Sequence, residues 1–273
     1  MTLQSPVRAH GFVEFMPAAG GENWRITRAR GKRFAVDWAV AGSAPSPAFA
    51  AEIEAIVIFP DTPGRVLADS GHVDAPARSV CLIPAGGFTV ETAPGAALAI
   101  IMPVAGNAPV GAVNDADYSQ GEDGHLPLSP AARAIHPGPR VIPADAIKAP
   151  ADKPRLKILR SAAMSISWIE YEGLRDRSKL SPHSHEDFEQ GSLAIHGDYI
   201  HHLRTPWGPD ANQWREDIHL TAPSASLCVI PPRVIHTTEG LGSGRHLLID
   251  IFAPARADFI AKGWVSNADD YAV

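Results

Sequence analysis

Three histidines and one glutamate in the second half of the chain have residue types and spacing suited to a metal centre. His183 and His185 are followed after three residues by Glu189, and His236 follows a Pro-Pro turn farther along the chain. Imidazole nitrogens and a carboxylate form a mixed donor set that suits Fe(II), Zn(II), Mn(II), Ni(II) or Cu(II). We therefore expect one divalent transition metal, whose identity the donor types leave open.

The spacing of the first two histidines indicates a strand rather than a helix. Residues i and i+2 face the same side of a β-strand, because its side chains alternate with a period of two. Neighbours on one face of a helix are three or four residues apart instead. Glu189 shares the parity of His183 and His185, so the three side chains are predicted to share one face.

The fourth ligand depends on which face of the following strand points inward. An inward Glu189 would bring Leu193 into the pocket as part of an apolar floor, whereas an inward Gln190 would bring the more polar Ser192. Glu189 also carries the negative charge that a divalent cation favours. We predict Glu189 as the metal ligand and as a group that could move a proton in catalysis, with Gln190 as the alternative ligand.

The composition describes a globular protein and excludes several classes of partner. The 273 residues are 45% apolar and 20% charged, and a net charge of −6 does not provide the basic face that nucleic-acid binding needs. No run approaches the roughly 20 apolar residues of a membrane span, and no secretory signal is visible. We expect a cytoplasmic protein without membrane contact, in which Cys81 and Cys228 are buried, reduced thiols.

An internal repeat predicts two tandem β-domains. Residues 79–89 and 226–236 each read as a short apolar strand that runs into a proline turn, and residues 52–61 match 189–198 at a different offset. The chain also contains 25 prolines and 23 glycines but few long helical patterns. Several short strands separated by such turns indicate an all-β sandwich or barrel architecture.

We divide the chain into a first domain (1–110), a Pro-rich linker (111–154) and a second domain (155–273). Prolines in the linker disfavour a continuous helix or central strand there. The linker is expected to wrap over both domains, and its segment around Val141 and Ile142 could add an edge strand.

The first domain is interpreted as structural. In the repeat alignment Glu52 lies opposite Glu189, but serine, alanine and threonine stand where the second domain has histidines. A lone carboxylate cannot hold a divalent metal with useful affinity. An alternative is that this domain keeps an apolar pocket for another ligand.

The pattern His-x-His-x3-Glu, a closing glycine, and Pro-Pro-x3-His resembles the two metal motifs of the cupin superfamily. The resemblance covers about residues 181–252, and with its degenerate first half the whole chain looks like a bicupin. It implies two tandem cupin domains, each a jelly-roll β-barrel, with metal in the second. Cupins usually leave six residues between the acidic ligand and the glycine. Glu189 leaves seven before Gly197, a count that would select Gln190.

Three further residues are candidate substrate contacts. Arg233 lies in the turn before His236, where a guanidinium could clamp a carboxylate or simply be exposed. His201 could relay a proton behind the metal or be a hydrogen-bonded structural histidine. Trp207 lies in an aromatic loop that could cover the metal, or could pack against the other domain or a second subunit.

Two functions fit these residues. A metal with open coordination positions would make the chain an enzyme for a small organic or sugar acid, either a non-haem dioxygenase or an isomerase or lyase. Alternatively, the chain is a non-catalytic cupin that binds or senses a small ligand. We also predict a homodimer, because barrels of this kind leave edge strands that need cover.

Overall fold

The computed structural model describes residues 7–15, 21–104, 111–118, 126, 131–151 and 153–272. These residues form nineteen strands, one short helix and several 3-10 turns, which confirms the predicted all-β jelly-roll class. Among the described residues, no helix is long and apolar enough to cross a membrane. The domain boundary placed at residue 110 lies outside the described residues.

The first barrel consists of two sheets that pack around one apolar interior. The larger sheet has the order β11-β8-β5-β10-β3-β2 and the smaller one β4-β9-β6-β7. Their strands are β2 (Arg25–Arg30), β3 (Phe34–Val40), β4 (Phe49–Ala51), β5 (Ala55–Phe59), β6 (Gly64–Ala68), β7 (Gly71–Ala75), β8 (Ser79–Ile83), β9 (Gly86–Thr92), β10 (Ala97–Pro103) and β11 (Arg140–Pro143).

The second barrel repeats this plan. Its larger sheet has the order β1-β17-β14-β19-β13-β12 and its smaller sheet the order β16-β15-β18, followed by the helix α1 (Ala257–Ala261). The strands are β1 (Gly11–Glu14), β12 (Lys157–Arg160), β13 (Ser165–Glu172), β14 (Glu189–His196), β15 (Asp198–Arg204), β16 (Ile218–Ala222), β17 (Ser226–Ile230), β18 (Ile235–Leu241) and β19 (Arg245–Ala253).

Strand register aligns the two barrels residue by residue. Cys81 lies opposite Val57 on the neighbouring strand, and Cys228 lies opposite Ser192 in the same way. Counting back from these pairs makes Glu54, rather than Glu52, the counterpart of Glu189. The repeat between 79–89 and 226–236 therefore locates matching strands, but the second alignment was wrong by two residues.

The two barrels exchange strands at their edges. β1 comes from the start of the chain yet pairs with β17 of the second barrel, and β11 comes from the linker yet pairs with β8 of the first. The predicted edge strand around Val141 and Ile142 is thereby confirmed. Because each exchanged strand covers an open sheet edge, exposed edges no longer argue for a homodimer, which stays a prediction.

Each barrel contributes one buried carboxylate that hydrogen-bonds to the other barrel. Glu54 of the first barrel accepts hydrogen bonds from the Ala162 main-chain nitrogen (2.8 Å) and the Tyr271 hydroxyl (2.6 Å). Glu189 of the second barrel accepts one from the main-chain nitrogen of Arg33 (2.5 Å). In both cases the carboxylate binds the turn that precedes the matching strand of the other barrel, which fixes how the barrels meet.

We expect Tyr271→Phe to lower the free energy of unfolding by about 1–3 kcal/mol, the usual cost when a buried charged acceptor loses a donor. Urea unfolding measures this loss. Tyr199→Phe is the matched control, because the Tyr199 hydroxyl donates to a neutral carbonyl, that of His196 (2.9 Å). An equal loss in both variants would contradict the role assigned to Glu54.

Candidate functional site

The structure brings the three predicted histidines together at one end of the second barrel. His183 and His236 form a two-residue bridge between main chains, with N–H···O distances of 3.1 and 2.8 Å. The ring centroids are 4.5 Å apart for this pair, 5.0 Å for His185 and His236, and 6.3 Å for His183 and His185. His185 and His236 are buried, whereas His183 is exposed.

The prediction that Glu189 joins these histidines is corrected by the structure. Adjacent residues of β14 point to opposite faces, and Glu189 points toward the first barrel, where Arg33 and Arg8 contact its carboxylate. Gln190 faces the histidines: its Oε1 lies 3.3 Å from Nε2 of His185 and 3.2 Å from Nε2 of His236. The alternative ligand, Gln190, is therefore the one that the fold places at the cluster.

Main-chain carbonyls set the tautomers of the histidine rings. A carbonyl oxygen only accepts hydrogen bonds, so a ring nitrogen beside it must carry the proton. Each Nδ1 lies 2.9 Å from such an oxygen: His183 from Ser181, His185 from Phe188 and His236 from Val234. The Nε2 atoms of neutral rings are then left with lone pairs, the form that binds metals.

A polar relay fixes the amide of Gln190. The Ser192 hydroxyl donates to the Asp250 carboxylate (2.6 Å), so its oxygen accepts from Nε2 of Gln190 (3.1 Å). This assigns the amide nitrogen to Ser192 and leaves Oε1 to face the histidines. Lone pairs of Gln190, His185 and His236 therefore point at one another with no proton between them.

Burial keeps the two interior rings neutral. It is the largest cause that lowers the pKa of His185 to about 3 and the pKa of His236 to about 4. Neighbouring imidazoles of the cluster lower both values further. At neutral pH these rings are uncharged, and a cation rather than a proton is the species that their lone pairs would accept.

The first barrel carries apolar side chains at every corresponding position. Register places Ala55, Val57 and Ile100 where the second barrel has Gln190, Ser192 and Asp250. The bridge between His183 and His236 has its counterpart in the stacked rings of Phe49 and Phe88, whose centroids are 5.4 Å apart. Polar donors are thus specific to the second barrel, and the first barrel is filled by its own apolar cluster.

Among the described residues, no three His, Cys, Asp or Glu side chains are already arranged to hold a metal ion. The fourth donor of the cluster is an amide, and the ring of His183 lies apart from that of His185. The donor set nevertheless fits a divalent metal chemically, because imidazole nitrogens and an amide oxygen can bind such ions, and the Nε2 atoms of His185 and His236 face Oε1 of Gln190.

The cluster opens onto a cavity of about 660 Å³ inside the second barrel. His183, Gln190 and His236 line it together with Asp250. Its walls are the aromatic and aliphatic side chains of Leu156, Ile169, Tyr171, Tyr199, Leu248, Phe252, Phe259 and Trp264. Five cationic side chains also border it: Lys153, Arg155, Arg175, Arg256 and Lys262. A small molecule could thus reach the donors directly.

The predicted substrate contacts lie elsewhere. His201 is fully buried and bonds the Thr238 hydroxyl through Nδ1 (2.9 Å), so Thr238 and not His201 borders the cavity. Trp207 is 72% exposed and stacks on Trp214. Arg233 adopts a left-handed turn (φ 70°), and its main-chain nitrogen donates to the His185 carbonyl. None of these three side chains borders the cavity.

Asp250 is a further residue of the site that the metal motifs do not include. It pairs with Ser192 and borders the cavity together with Gln190. Burial is the largest cause that raises its pKa to about 6. The sequence does contain a sign of this position. Asp250 has the same parity as Leu248 and Phe252 on β19, so the three side chains share the face that lines the cavity.

Comparison with known proteins identifies the fold. The sequence matches no family model and no curated protein. The structure is similar to oxalate decarboxylase from Lactobacillus farciminis (TM-score 0.59, 13% identity, 93% of this chain and 87% of that one). It is also similar to AerE from Microcystis aeruginosa (TM-score 0.56, 8% identity, 91% and 98%). A putative glyoxylate-induced protein from Pseudomonas aeruginosa matches as well (TM-score 0.54, 11% identity, 91% and 90%).

Identities this low show the fold and nothing finer. These neighbours are cupin-fold proteins, and their similarity extends over both barrels of this chain. The paired sheets, the matching register and the edge strands exchanged between barrels agree with that architecture. The protein therefore has the cupin fold, in two tandem copies within one chain.

Proposed function

We propose that this chain is a metal-dependent bicupin enzyme that acts on a small organic or sugar acid. His183, His185, His236 and Gln190 would hold one divalent transition metal. The observation that carries the proposal is the meeting of three lone-pair donors, Gln190 Oε1 and the Nε2 atoms of His185 and His236, at 3.2–3.3 Å. Such an arrangement is repulsive unless a cation neutralises it.

His183 would complete the ligand set by turning toward the other rings. Its side chain is exposed, and its main chain is tied to His236 by two hydrogen bonds, so the ring can move while the backbone stays in place. A metal held there would supply Lewis-acid polarisation of a substrate oxygen, or oxygen chemistry if it is iron. Both the dioxygenase and the isomerase or lyase activity remain within this proposal.

Asp250 would handle the proton in place of Glu189. It is the one acidic residue among the described residues that border the cavity. The Ser192 hydroxyl already donates to Oδ1, so Oδ2 is the atom that would accept a proton from substrate. The apolar wall around it limits access of water, which strengthens such a contact.

Metal content of the purified protein tests the proposal. We expect about one divalent transition metal per chain in the wild type and clearly less in His183→Ala, because one of four donors is lost. His72→Ala is the control, since His72 is an exposed residue of β7 in the first barrel. The metal found selects the assay: oxygen consumption for iron, and isomerisation or elimination of sugar acids for zinc, manganese or nickel.

A protein that holds no metal after reconstitution with each of these ions would contradict the enzyme proposal. The chain would then be a cupin that binds a small ligand without turnover, the alternative function considered above. Equal metal loss in His183→Ala and His72→Ala would show that the metal is bound elsewhere.

A further inference from the structure

The cavity of the second barrel has a positive lining although the protein as a whole is acidic. The chain has 30 acidic and 24 basic residues, giving a net charge of −6. Five cations border this one cavity: Lys153, Arg155, Arg175, Arg256 and Lys262. Asp250 is the one acid among the described lining residues. Such a local reversal of charge attracts anions.

Only part of this positive charge is neutralised by the protein. Asp258 accepts two hydrogen bonds from Arg256 (2.6 and 2.7 Å) and also pairs with Lys262 (3.3 Å). Within the described part of the chain, no carboxylate pairs with Arg155 or Arg175. These two guanidiniums can therefore bind an anion without first giving up an ion pair.

Tyr171 lies beside Arg155, and Arg175 borders the same cavity. The Arg155 guanidinium carbon is 5.6 Å from the centroid of its ring. Burial raises the pKa of Tyr171, and the charges of Arg175 and Arg155 both lower it, so both cations act on the phenol. The ring stacks on His246 (4.8 Å, 7°), and among the described residues its hydroxyl has no hydrogen-bond partner. A fixed O–H donor thus borders the cavity beside two cations.

This group lies away from the metal donors along the barrel. Tyr171 is paired with His246 on β19, and Asp250 is four residues farther along the same strand and on the same face. Four residues of strand correspond to about 13 Å. Arg155, Tyr171 and Arg175 therefore mark the opposite end of the cavity from Gln190 and Asp250.

We propose that Arg155, Tyr171 and Arg175 form a subsite for a carboxylate of the substrate, remote from the atoms that react. The inference rests on the proposed function of the same cavity and adds which end of the substrate is recognised. The two guanidiniums supply hydrogen-bond donors only, and the phenol can add its O–H as a further donor, which matches a fully ionised carboxylate. The substrate would then be an acid whose anionic end is held here while its other end reaches Gln190 and the histidines.

Binding of simple dicarboxylates to metal-free protein tests this subsite. Succinate, adipate and suberate are titrated into chelator-treated wild type by calorimetry, with 1,6-hexanediol as the neutral probe and inorganic phosphate as the alternative anion. We expect at least one dicarboxylate to bind, the diol not to bind, and phosphate to bind more weakly. Arg155→Gln, Arg175→Gln and Tyr171→Phe should each weaken dicarboxylate binding, by roughly tenfold for the arginines.

Lys179→Gln is the matched control, because Lys179 is an exposed cation paired with Asp176 and lies outside the cavity lining. Failure of every dicarboxylate to bind, or equal weakening in Lys179→Gln, would overturn the subsite. Tighter binding of phosphate than of dicarboxylate would overturn its assignment to a carboxylate. Because the titrations use metal-free protein, they do not depend on whether the histidines bind a metal. Failure of the carboxylate subsite can therefore be distinguished from failure of the proposed metal site.

Discussion

Replacing Gln190 by leucine should lower the affinity for a divalent metal at least about 100-fold, more than the loss usually caused by altering a residue behind the ligands. Leucine fills a similar volume but removes the amide oxygen that faces His185 and His236. It also ends the relay through Ser192 to Asp250. Competition with a coloured chelator measures the affinity of the purified variant.

Glu189→Gln is the informative partner of this variant, because the two residues are adjacent and face opposite ways. We expect Glu189→Gln to retain metal affinity within about threefold while lowering the free energy of unfolding by about 1–3 kcal/mol. The loss follows from the buried contacts of the carboxylate with Arg33 and Arg8. If Glu189→Gln lost the metal and Gln190→Leu kept it, the assignment of the fourth ligand would be wrong.

Sequence parity predicted the wrong inward-facing residue for a local reason. Glu189 would share a face with His183 and His185 only if one continuous strand held all three residues. The chain bends at Glu186 and Asp187, and β14 begins only at Glu189. Parity therefore does not carry across the bend. The count back from Gly197, the residue directly after β14, does not cross the bend and indicates Gln190, the residue that faces the histidines.

The duplication could be predicted from sequence, but the connection between the barrels could not. Cys81 and Cys228 locate matching strands because similar apolar runs lead into proline turns in both halves. A second sign of the duplication is that Asn114–Tyr118 and Asn267–Tyr271 share the pattern Asn-x-x-Asp-Tyr. Both asparagines clamp the main chain of an equivalent arginine, and both tyrosine hydroxyls donate to it.

The sequence does not predict which barrel β1 and β11 join, because edge pairing depends on which sheet edges are free in the folded protein. Its consequence is a shared interior. One apolar cluster contains residues of both barrels, including Phe34 and Ile56 of the first and Trp168 and Leu193 of the second. The barrels are therefore expected to unfold as one cooperative unit rather than in two steps.

Phe34→Ala should lower the free energy of unfolding of the whole protein by about 3–5 kcal/mol, the usual cost of truncating a buried aromatic ring. Phe34 belongs to the first barrel and is fully buried in the shared cluster. Its ring packs on Gly191 of β14, where an added Cβ would lie 2.6 and 2.9 Å from ring carbons. Because Gly191 has no side chain, it leaves room for the Phe34 ring of the other barrel. Urea unfolding should show one transition at a lower midpoint.

A double-mutant cycle separates this contact from a general loss of stability. Gly191→Ala should destabilise the wild type because the new methyl group meets the Phe34 ring, but should cost much less in Phe34→Ala, giving a coupling energy of about 1–3 kcal/mol. Phe49→Ala is the control: Phe49 is also a buried aromatic residue, but it stacks on Phe88 within the first barrel. The losses of unfolding free energy caused by Phe49→Ala and by Gly191→Ala should therefore be additive. Additivity with Phe34→Ala as well, or two separate unfolding transitions, would mean that the barrels do not share a core and that β14 is positioned by the second barrel alone.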